Sequence, residues 1–209
     1  LTSVTIGNKV KTIGASAFNN CSSLTSVTIP DSVTTIDSYA FLNCSSLTNI
    51  TIPNSVTNIG VAVFYNCSSL TSITIPDSVT SIGDNAFCYC SGLTSVTIPG
   101  SVTSVGYSAF DGCSSLTNIE IPSSVTTIGK NAFEECTALT KVILPKSIKK
   151  LGEKTFKNCT SLTEVIIEDG INAIEMNMFE GCSSLENIMI PESITEIKSE
   201  AFKDCVKLK

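Results

Sequence analysis

The 209-residue chain contains no histidine, no tryptophan and no arginine. Lacking histidine, it has neither the commonest acid–base group near neutral pH nor the commonest metal ligand. Lacking arginine, it has no planar fork for gripping a phosphate or carboxylate. Its 13 basic residues are all lysines, and with 19 acids the net charge is −6. Nucleic-acid binding needs clustered positive charge that releases counterions, so that class is set aside. No apolar run approaches the roughly 18 residues of a membrane-spanning helix. No secretory signal is present, and the chain opens on Leu1, which leaves an upstream segment open. There is no glycine-rich phosphate loop and no metal-ligand cluster. An enzyme is therefore the weakest of the function classes, and no cofactor is expected.

What the chain has is a repeat. Written in rows of 23 from Leu1, it gives nine complete rows followed by Leu208 and Lys209, without insertion or deletion. Position 1 of every row is leucine, position 18 phenylalanine and position 21 cysteine. Positions 4, 6, 10 and 13 are always Val, Ile or Leu. Self-similarity at a fixed period of this length is the signature of an array. One row cannot bury its apolar positions alone, so the rows must stack, each contacting only its neighbours.

Within a row, apolar positions 4 and 6 alternate with polar positions 3 and 5, which predicts a half-buried strand. Proline at position 7 in seven rows ends it, having no N–H to give to a ladder. Positions 10 and 13 suggest a second short extended or turn-like segment. The Ala-Phe-x-x-Cys end, apolar at 17, 18 and 21, predicts a single helical or 3₁₀ turn. Glycine holds position 14 in six rows, but Asp37, Glu175 and Lys198 take it in the others, so positive φ is not demanded there. Stacked rows should pair their strands in parallel with a rise of about 5 Å. The expected fold is a solenoid with columns of identical side chains, forming a single domain over 1–209. Leu208 and Lys209 read as the start of a tenth row, and neither end has the polar face of a capping repeat. The chain is therefore expected to be a piece of a longer array.

A cysteine in every row raises four readings: metal, disulfide, reactive thiol or core filler. A spacing of 23 offers no paired ligands, and Cys88-Tyr89-Cys90 stands alone. In-register cysteines about 5 Å apart come within range for bridges, but parallel Cβ vectors keep the sulfurs too far apart. The favoured reading is a small buried hydrophobe in a core slot that recurs. Cys88 is the tenth cysteine and sits at position 19, which is expected to face solvent, where a thiol could react.

The unit Leu-x-x-Val-x-Ile-Pro-x-Ser-Val-x-x-Ile-Gly-x-x-Ala-Phe-x-x-Cys resembles the BspA-type leucine-rich repeat of bacterial and protist surface proteins. The resemblance covers the whole chain. It implies a right-handed leucine-rich-repeat horseshoe with a parallel sheet on its concave side and short helical turns. It also implies an extracellular, cell-surface setting and adhesion to host matrix or cell-surface proteins, with no catalytic residues. A glycan is a second class of ligand.

Two features break the repeat. Rows one to five carry two lysines and five acids, whereas the remainder carries eleven lysines and fourteen acids. In register, Lys141 faces Glu164, Lys146 faces Asp169, and position 19 alternates Glu134, Lys157, Glu180 and Lys203. Exposed pairs of this kind contribute about 0.2–1 kcal/mol each and pin the register. The second break is at position 5, which reads threonine in the first five rows and then Glu120, Ile143, Ile166 and Met189. Clustered apolar side chains rimmed by charge mark contact sites. Glu120, Lys141, Ile143, Glu164, Ile166 and Met189 are the candidate partner-binding residues. A module that binds should break its surface repeat in this way, and a spacer that only holds another domain away from the cell should not.

Overall fold

The computed structural model describes residues 1–209, and it is a parallel β-solenoid. Each row contributes one strand at positions 3–5 and a second, two-residue strand or bridge at positions 12–13. Neighbouring rows pair in parallel with no slip: Val4 faces Val27, Ile73 faces Val96, and Ile13 faces Ile36. Strand residues at position 4 are buried while those at 3 and 5 are exposed, as in Ser26–Thr28 and Ser95–Thr97. This follows from the two-residue alternation of side chains along a strand.

The interior is one cluster of 59 buried residues. Its spine is the phenylalanine column, in which successive rings from Phe18 to Phe202 stack with centroids 5.2–5.8 Å apart and planes within 11°. That spacing matches the rise of a parallel sheet. Ladders of hydroxyls flank the core. Serine at position 9 donates to the position-10 carbonyl of the preceding row, as Ser32 does to Val10 at 2.8 Å and Ser124 to Val102 at 2.7 Å. Threonine at position 2 donates to the carbonyl of its counterpart one row back at Thr25, Thr48, Thr94, Thr117, Thr140 and Thr163. The serine bonds occupy carbonyls that no backbone N–H reaches, whereas the threonine bonds add to carbonyls already paired with the next row's N–H.

The helical turn expected at Ala-Phe-x-x-Cys is replaced by consecutive β-turns. The cysteine N–H bonds to the phenylalanine carbonyl three residues back in all nine rows. Position 16 has positive φ in every row, from Ser16 (58°) to Glu200 (58°), and so does position 20, from Asn20 (60°) to Asp204 (59°). A left-handed residue every fourth position prevents the run of right-handed φ that a helix needs, and positive φ at the third place is the mark of a type II turn. The corner also lets its N–H groups reach across rows: Ser16, Phe18 and Asn20 donate to Ser38, Ala40 and Leu42. Asn20, Asn43 and Asn66 share a side-chain ladder at 2.8 and 3.0 Å on this corner.

All ten cysteines are free. From Cys44 to Cys205, each column thiol approaches the phenylalanine carbonyl of the preceding row at 3.1–3.3 Å. The slot therefore takes a small apolar side chain that is also a weak donor, which alanine or valine could not supply. Burial pushes the thiols from Cys44 to Cys205 up, to about 11 for Cys44 and about 12 for Cys90 and Cys182. Alkylation of the eight buried thiols in the native protein at neutral pH should be slow, and alkylation in denaturant without reductant should modify all ten by mass spectrometry. Unmodified pairs in denaturant would mean bridges.

Cys88 departs from expectation: it is 2% exposed. Stacking covers position 19, so that Leu42, Tyr65, Asp111, Glu134, Lys157 and Glu180 are all half-buried, and the shortest side chain among them is enclosed. Burial, with the Asp111 carboxylate adding to it, pushes the Cys88 thiol up to about 12. The same crowding acts on Asp111. Desolvation, then the Glu134 charge, raises its carboxyl from 3.8 to about 6 despite a 3.2 Å bond from Ser108. The folded chain thus holds this proton to higher pH than the unfolded chain does. Raising the pH through that window costs stability, and the cost is complete above about 6. Asp111→Asn should raise the melting temperature at neutral pH and change it little near pH ~4. An equal effect at both pH values would show that the carboxylate charge is not the cause.

Candidate functional site

The exposed sheet face is built from three ladders. Rows one to three pair through Ser3–Thr5, Ser26–Thr28 and Asn49–Ile50. Rows four to six pair through Ser72–Thr74, Ser95–Thr97 and Asn118–Glu120. Rows seven to nine pair through Lys141–Leu144, Glu164–Ile167 and Asn187–Met189. A single bridge, Thr51 to Thr74, links the first ladder to the second. Between Asn118–Glu120 and Lys141–Leu144 there is no strand pairing. Only the strand's approach is tied, where Thr140 bonds to the Thr117 carbonyl at 3.3 Å.

The rows do not separate elsewhere at this point. Behind the gap, Thr127–Ile128 still pairs with Lys150–Leu151. Phe133 still stacks on Phe156 at 5.5 Å. Only the ladder pairing of the sheet face lapses here, and a cleft of about 480 Å³ lies over it. Asn118, Glu120, Ser123, Lys141, Ile143 and Glu168 are among its lining residues.

Every candidate residue lies on this face. Ile143 and Ile166 are paired neighbours, 41% and 38% exposed, and Met189, paired to Ile166, is 82% exposed. The structure thus brings the three apolar residues into one column, with Glu120 across the gap in the row before. Lys141 bonds Glu164 at 2.8 Å beside them, as the register requires. On the turn side, Lys157 and Lys203 both reach Glu180, at 2.8 and 3.5 Å.

Lys146 does not pair with Asp169. Row eight has glutamate at position 7 in place of proline, and the Glu168 carboxylate accepts the Lys146 backbone N–H at 3.0 Å. Asp169 instead bridges to Ile171 within its own row. Gly170, at a position that is serine in seven of the other rows, is fixed by space, since a Cβ would lie 2.5 Å from the Lys146 carbonyl oxygen. Glu168 was not singled out from the sequence; its signal was the one acidic residue in the proline column.

Across residues 1–116 and 80–209, the chain matches the family model for the BspA-type leucine-rich repeat region, in six copies. It belongs to that family. Among solved structures it is 33% identical to a leucine-rich cell surface protein from Faecalibacterium prausnitzii, covering 100% of this chain and 72% of that one with a TM-score of 0.57. It is 32% identical to a leucine-rich repeat protein of T. pallidum, covering 74% and 72% with a TM-score of 0.71. A leucine-rich repeat protein from Eubacterium ventriosum is 26% identical, covering 100% and 71% with a TM-score of 0.60. No curated protein matches the chain. No helix is long and apolar enough to cross a membrane.

Proposed function

We propose that this BspA-type repeat chain is a non-catalytic, cell-surface adhesion module that binds a protein partner of the host matrix or cell surface through its exposed sheet face. One observation carries the reading. A column of five identical threonines gives way, beside a parting of the sheet, to Ile143, Ile166 and Met189, all exposed. Water-facing apolar residues in one column cost solubility and add nothing to the core, and contact with a partner removes that cost. The surface setting rests on the family's cell-surface member from F. prausnitzii.

The test is the variant Ile143→Thr, Ile166→Thr, Met189→Thr, which restores the upstream column. Its melting temperature should change little, since none of the three is in the core. Binding to fibronectin, fibrinogen or intact cells should fall at least about tenfold, the loss of about 1.4 kcal/mol. Unchanged binding removes this patch. Absence of binding by either protein favours the second reading, a spacer that presents another domain, which the uniform Thr5–Thr97 column suits.

A further inference from the structure

Resting on that reading, the geometry points to the chemistry of the partner: an extended peptide segment with a lysine or arginine within about four residues of an aliphatic or aromatic side chain. The cleft between rows six and seven carries more negative charge than it can use. Lys141, its only lysine, is engaged by Glu164 at 2.8 Å, outside the lining. Glu120 makes no ion pair, and Glu168 spends one carboxylate oxygen on the Lys146 N–H. Two carboxylates therefore line an opening of about 480 Å³, large enough for a long side chain, with no cation of the chain matched to them. A lysine or arginine has an apolar stem suited to Ile143, Pro122 and Pro145 in the lining and a charged head for the carboxylates.

The distance to the apolar column sets the spacing. Glu120 and Met189 lie three rows apart, about 14 Å by sheet spacing. An extended segment covers that span in about four residues. A cation entering the cleft thus leaves its apolar neighbours over Ile143, Ile166 and Met189. Charge complementarity decides the class of occupant, because an acidic segment would meet Glu120 and Glu168, two carboxylates that no ion pair of the chain neutralises.

A phage-displayed random dodecapeptide library panned on the whole chain tests this, with the selected peptides measured by fluorescence anisotropy. Selected sequences should share a lysine or arginine within about four residues of an aliphatic or aromatic residue, and binding should weaken with salt. Glu120→Gln with Glu168→Gln keeps an acceptor for the Lys146 N–H and should weaken binding at least about tenfold, equivalent to about 1.4 kcal/mol. The triple threonine variant should lose it. Peptides that need the apolar column but ignore the double glutamine change would overturn the cation assignment and leave the sheet-face reading standing. Peptides indifferent to both variants, or no enrichment, would overturn both.

Discussion

Phe110→Ala is expected to destabilise the array by about 3–5 kcal/mol, whereas Phe18→Ala should cost clearly less. Phe110 is wholly buried and stacked between Phe87 at 5.2 Å and Phe133 at 5.4 Å. Phe18 is only half-buried and has one ring neighbour, Phe41 at 5.2 Å. A cavity in mid-array removes contacts from the rows on both sides, and stability in a solenoid is a sum of such nearest-neighbour terms. Urea unfolding followed by circular dichroism should also show a smaller slope for the mid-array variant, because its two halves begin to unfold separately. Equal costs at the two sites would mean that the rows do not behave as a linear array.

Gly152→Ala should cost about 1–3 kcal/mol, while Gly60→Ala should be neutral or stabilising by up to about 1 kcal/mol. Both occupy position 14 and neither has positive φ, so backbone strain does not separate them. Space does. A Cβ on Gly152 would lie 2.2 Å from the Lys130 nitrogen, and one on Gly129 2.5 Å from the Tyr107 nitrogen. A Cβ on Gly60 meets nothing nearer than 3.5 Å, above the row where Asp37 replaces glycine. Chemical denaturation of the two variants decides the matter, and matching losses would point to a shared requirement of the turn instead.

These glycines show where sequence reasoning reached and where it stopped. Asp37, Glu175 and Lys198 at the same position excluded a need for positive φ, and the structure agrees. The close approach of neighbouring backbones depends on which row lies beneath, which the composition of one row does not encode. The strand at positions 3–5, the parallel register and the columns of Phe and Cys followed from strict periodicity, since a repeat without insertions can stack only in register.

The left-handed residues were less legible. Asn20, Asn43, Gly112 and Asp204 suit positive φ, but Tyr39, Ala62, Lys154 and Glu200 give no sign of it. The cross-row bonds from these corners impose the conformation on whatever residue arrives there. This also explains the error over the helical turn: the apolar spacing of 17, 18 and 21 fits a helix, but the turns at 16 and 20 forbid one. Cys88 was misplaced for a related reason, because the cover over position 19 comes from adjacent rows. The outward column of Ile143, Ile166 and Met189 was readable by alternation. The parting of the sheet beside it was not, for no residue in Asn118–Glu120 or Lys141–Leu144 is a strand breaker.

The measurement that bears most directly on the proposed contact surface is site-specific photo-crosslinking. A benzoylphenylalanine placed at Ile166, at Thr51 of the threonine column, or at Lys11 in the second segment would be irradiated in the presence of fibronectin, fibrinogen and intact cells. A partner held on the apolar column predicts adducts from position 166 that the unlabelled chain competes away, with few from 51 and none from 11. Adducts of equal yield from all three positions, or from 51 or 11 alone, would contradict the account.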